Sequence, residues 1–112
     1  MTEASLRKRL SDIENHLEVL RAAEEKFLFL DAHKKVLSAQ LFLKSEGKSV
    51  AEREAIAFAS YDWIDFSKGL AEAESKFNHE RRMHELLLKK YDAAHLSLKM
   101  ETPVINRHGH VS

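Results

Sequence analysis

The stretch WIDFSKGLAEAESKFNHERRMHELLLKKYDAAHLSL, residues 63–98, places an apolar residue at alternating intervals of three and four. The series runs Trp63, Phe66, Leu70, Ala73 and Phe77, passes through Glu80 and His84, and resumes at Leu87, Tyr91, Ala94 and Leu98. That is a heptad seam about five repeats long, and it specifies a long helix lying against another long helix.

Upstream, Leu6, Leu10, Ile13, Leu17 and Leu20 keep the same alternation, and nothing before Gly47 interrupts it. A first helix is expected over residues 4–46, ended by a turn at Ser45–Lys48 in which Gly47 is free to take the left-handed conformation. Beyond Leu20 the series resumes as Phe27, Leu30, Lys34, Leu37 and Leu41, one residue off its earlier spacing. The apolar stripe should therefore rotate locally around the helix. Ser49-Val50-Ala51-Glu52 has the form of a capping box and opens a short helix over 50–59. Ser60 then caps a third helix over 61–101, with Asp62 and Asp65 near the positive end of its dipole. Pro103 ends it, and residues 104–112, which lack periodicity, read as a flexible tail.

The fold expected is all-α: a long antiparallel helical hairpin, coiled-coil-like, with a short helix at the turn, forming a single domain over residues 1–103. With Gly47–Ser60 at the tip, Leu10 would meet Leu98, Leu17 would meet Tyr91, and Leu41 would lie near Phe66. Glu24 would lie near His84, bringing the polar interruptions of the two seams together. Phe29, Phe42, Leu43, Ile56, Phe58, Ile64, Met83, Leu86 and Leu88 fall outside this seam. Their surplus argues for self-association, a dimer first or a larger helical bundle.

Composition narrows the class of function. The chain has 112 residues, 44% apolar and 32% charged, as expected of one soluble helical domain. Eighteen basic residues balance eighteen acidic ones, so no global field draws it to nucleic acid or an anionic membrane. The absence of cysteine excludes disulfides and thiolate chemistry. No apolar run approaches a bilayer span, and Arg7–Arg9 are not followed by an export-type apolar stretch, so no membrane contact and a cytoplasmic location are expected.

Seven histidines raise the question of a metal. His79 with His84, and His108 with His110, are poorly spaced, and although Glu80 and His84 stand four apart nothing local completes a ligand set. Neither a metal nor any other cofactor is expected. Asp62 and Asp65, with Glu52, Glu54 and Glu72, have no nucleophile or glycine-rich phosphate loop beside them. They read as helix caps and solvated surface, and no catalytic residue is assigned. Phe58, Tyr61 and Trp63 cluster near the expected tip as a candidate protein contact. Lys26, Arg81, Arg82, Lys89 and Lys90 are a candidate nucleic-acid contact, salt-sensitive and indifferent to base sequence. Interspersed acids make a salt-bridged surface the competing interpretation.

The segment from Ala39 to Ala55, AQLFLKSEGKSVAEREA, continuing through Ala59-Ser60-Tyr61, resembles small phage-encoded helical proteins. In those a long helix precedes a segment of the type Glu-Gly-x-Ser-Val-x-Glu-Arg-Glu-Ala and a second long helix, and the genes often lie among replication or recombination functions. Similar proteins tend to close with an arginine- and tryptophan-bearing segment, where this chain reads Tyr91-Asp92-Ala93-Ala94-His95-Leu96. The resemblance implies a phage or prophage accessory protein acting in the host cytoplasm. The function expected is a non-enzymatic one: protein–protein interaction with phage or host machinery of DNA metabolism or defence. The alternative is weak, sequence-independent nucleic-acid binding.

Overall fold

A computed structural model of the protein describes residues 2–101, and all its regular structure there is helical. Helix α1 spans Glu3–Lys44, α2 spans Val50–Ala59 and α3 spans Tyr61–Glu101. The tail expected at 104–112, with His108 and His110, lies outside the described residues.

Side-chain caps mark the helix starts. Thr2 Oγ1 accepts the Ser5 amide at 3.1 Å, and the Ser49 hydroxyl accepts the Glu52 amide at 3.1 Å. Glu52 returns its carboxylate to the amide of Lys48 at 3.2 Å, one residue before the cap. Ser60 serves two helices: its amide and hydroxyl donate to the Ala57 carbonyl at the end of α2, while its oxygen accepts the Trp63 amide in α3.

The stop of α1 differs from expectation. It comes at Lys44, and buried Ser45 donates its hydroxyl to the Leu41 carbonyl at 2.7 Å. Arg53 Nε then donates to the Ser45 carbonyl at 3.1 Å. Gly47 does not adopt the left-handed conformation. A glycine is required there for space, because a Cβ would stand 2.9 Å from Arg53 Cγ and 3.0 Å from the Arg53 amide nitrogen.

The chain divides into two compact units. One takes in the described parts of Met1–Leu20 and Glu80–Ser112, the other is Arg21–His79. In the first, His16 of α1 meets Glu80 and His84 of α3. In the second, the rings of Phe27 and Phe77 stack at 5.7 Å and His33 meets the edge of Phe66 at 6.0 Å, so α1 and α3 numbers run in opposite directions.

All eleven seam residues read on α3 between Trp63 and Leu98 are buried or half-buried. On α1 the stripe is different from the one expected. Leu6, Arg9, Ile13, His16 and Leu20 are covered in the first unit, and Ala23, Phe27, Leu30, Leu37 and Leu41 in the second. The three-four alternation runs from Leu6 to Leu30, passes exposed Lys34 and continues at Leu37 and Leu41, without the rotation anticipated after Leu20; Leu17, beside His16, is half-buried as expected. Tracking leucines alone leads to Leu10, which is 42% exposed, and misses Arg9 and His16, whose long or flat side chains fill seam positions with polar tips.

Register is corrected as well. His84 faces His16 instead of Glu24, and Phe66 faces His33 instead of Leu41, both about two turns earlier on α1. In the second unit the cause is α2, which packs beside the end of α1: Arg53 lies over the Phe42 ring at 5.4 Å and Ala57 is buried. With its last turns taken by α2, α1 offers α3 an earlier segment.

Ile13, 9% exposed, lies on the true stripe beside Leu10, which does not. Urea denaturation should show Ile13→Ala costing about 2–4 kcal/mol and Leu10→Ala less than about 1 kcal/mol; equal costs would refute this stripe assignment.

Candidate functional site

The polar interruption of the seam, the groove at the α2 end and the basic quartet of α3 each lie within one unit. The first is the polar interruption of the seam. His16 Nε2 stands 2.6 Å from Glu80 Oε2, and His16 Nδ1 stands 3.3 Å from His84 Nδ1. The two imidazoles stack with centroids 5.5 Å apart. A carboxylate only accepts, so His16 Nε2 donates to it; with His16 neutral, its Nδ1 accepts and His84 Nδ1 donates. Glu80 and His84 stand one turn apart on α3, which aims both at the single residue His16 across the seam. The side chains of His16 and Glu80 are 15% and 17% exposed. The contact satisfies polar groups in the helix interface and selects a register, since a shifted pairing would set these groups against apolar residues.

The second place is a groove of about 940 Å³ in the unit Arg21–His79, between the end of α1, α2 and the start of α3. Ala39, Phe42, Leu43, Ala57, Phe58 and Trp63 supply its apolar lining, Lys34 and Lys35 border it from α1, and Glu54 borders it from α2. Phe58 and Trp63, named from sequence as a protein contact, pack ring to ring at 5.0 Å, and Trp63 continues to Phe66 at 6.1 Å. Tyr61, the third residue of that set, is 78% exposed. Sequence reading missed the α1 wall of the groove because Phe42 and Leu43 become neighbours of Phe58 only through the packing of α2.

The third place is the basic surface. Arg81, Arg82, Lys89 and Lys90 are all exposed on α3. Arg82 and Lys89, seven residues apart, share a face, and Glu85 lies one turn from Arg81 and from Lys89. Lys26 belongs to the other unit, where it borders a hollow of about 240 Å³ with Gly69, Glu72 and Lys76. Of the five-residue basic set, four residues thus belong to one unit, with an acid in their midst, and Lys26 belongs to the other.

Asp62, Asp65, Glu52, Glu54 and Glu72 are exposed, as is His79. Among the described residues no three histidine, aspartate or glutamate side chains are grouped to hold a metal ion. No helix there is long and apolar enough to cross a membrane. No protein family, curated protein or solved structure matches the chain.

The histidine contact generates a sharp asymmetry. Glu80→Leu strands the His16 Nε2 donor and should cost about 1–3 kcal/mol in chemical denaturation. Replacing His16, Glu80 and His84 together by leucine should be neutral or stabilising by about 1–4 kcal/mol. A triple variant less stable than Glu80→Leu would contradict this account.

Proposed function

We propose that this is a non-enzymatic helical interaction protein that assembles with a second copy of itself and uses the α2 end to hold a partner protein. The observation that carries it is the distribution of apolar surface. Four of the six buried apolar residues are alanines, and no large side chain among the described residues is fully buried. Meanwhile Phe29, Val36 and Leu43 repeat at heptad spacing on α1 while 71%, 49% and 75% exposed. That stripe lies about a quarter-turn from the buried one at Leu30 and Leu37. A helix apolar on two faces has two neighbours, and α3 supplies one of them.

In this proposal the helices pair as an antiparallel hairpin, and a copy of the chain packs along the Phe29–Leu43 stripe, a dimer being the simplest closed assembly. The groove beside Phe58 and Trp63 receives an aromatic or aliphatic anchor from a partner, and exposed Tyr61, at the start of α3, adds contact area. A phage or host protein of DNA metabolism or defence, acting in the host cytoplasm, is the partner class suggested by the resemblance of residues 39–61.

Light scattering at tens of micromolar should give twice the chain mass for the wild type and the monomer mass for Phe29→Lys/Leu43→Lys with helicity retained. Tyr61→Ala should leave the mass unchanged and reduce partner capture. A monomeric wild type overturns the self-association.

A second reading, direct contact with nucleic acid, is supported by the exposed quartet Arg81, Arg82, Lys89 and Lys90. Fluorescence anisotropy with single- and double-stranded oligonucleotides should then show micromolar binding at low salt that collapses as salt rises. Absence of binding at low salt removes it.

A further inference from the structure

Arg9 occupies a seam position, where the heptad pattern asks for an apolar residue. It is half-buried, and its guanidinium makes no hydrogen bond or ion pair with a described residue. Nearby, Arg7 has Glu3 at 4.0 Å. Opposite Arg9, α3 presents small side chains, and the space they leave is a hollow of about 410 Å³ lined by Arg9, Lys90, Ala93, Ala94 and Ser97. This lining carries two cations and no carboxylate.

The two cations face one hollow whose lining has no carboxylate, so an anion entering it is drawn by both charges and relieves the repulsion between them. We propose that the hollow binds a phosphate group, with the planar Arg9 guanidinium taking two phosphate oxygens and the Lys90 ammonium adding a point charge from α3. Ala93 and Ala94 provide the room. The hollow is larger than a single oxyanion, so the ligand class is a phosphate ester, either a small molecule or a stretch of nucleic-acid backbone. The site is independent of the self-association proposed above.

The test compares thermal unfolding in inorganic phosphate and in chloride at equal ionic strength. Phosphate at ten times its dissociation constant should raise the Tm of the wild type by about 4–8 °C. Arg9→Leu should have a higher Tm than the wild type in chloride and lose the phosphate response, a combination that a purely structural arginine would not produce. Lys90→Gln, at an exposed position, should retain the wild-type Tm in chloride and a reduced response. A wild type with the same Tm in both salts, or an Arg9→Leu variant that keeps the shift, overturns the proposal. Anisotropy with a short oligothymidylate separates the sources. Binding that Arg9→Leu abolishes supports a backbone-phosphate site; a phosphate response without oligonucleotide binding supports a site for small phosphate esters.

Discussion

Long helices gain little from intrinsic propensity, so the stability of α1 and α3 rests on the stripe each removes from water. That stripe is narrow, and three of its most buried members, Ala23, Ala73 and Ala94, are small. Alanines allow helix backbones to approach closely but contribute little apolar area, so larger neighbours such as Phe27, Phe77 and Leu87 remain half-covered. The seam holds the helices in place without consuming their apolar surface, and this shortfall conditions everything else about the protein.

Two consequences follow from a thin seam. The first is that register gains from a polar device, because apolar contacts alone discriminate weakly between alignments. His16, Glu80 and His84 supply it: one histidine bridges a carboxylate and a second imidazole in the observed register. The second is that large apolar side chains remain on the outside, in the Phe29–Leu43 stripe and around Phe58. These faces support reading the molecule as a component of an assembly.

Helix identity was legible in the residues themselves. Glycine and proline are rare, Ser49 and Ser60 stand where caps are needed, and the α3 stripe could be followed residue by residue because apolar side chains occupy nearly every seam position. On α1, Ile13, Leu17, Leu20, Phe27, Leu30, Leu37 and Leu41 are covered as their spacing implies, but Leu10 is exposed, and Arg9 and His16 hold positions that apolar spacing alone does not reveal. Sequence reading also misjudged Gly47, whose role comes from the close approach of Arg53 and not from its own backbone torsion. Of the candidate contacts, the pairing of Phe58 with Trp63 was foreseeable from adjacent helix ends. The α1 wall of their groove was not.

Sequence by itself determined the three helices, the caps at Ser49 and Ser60 and the buried face of α3, because each depends on periodicity or hydrogen bonding within a few residues. Tertiary structure alone decided which face of α1 is covered, which residues of α3 it meets, and that Arg9 and Lys90 border one hollow. The physical reason is that a polar side chain has no fixed preference for burial: Arg9 and His16 enter the seam because alanines leave one of them room and a carboxylate receives the other, and those partners lie 64 or more residues away in the chain.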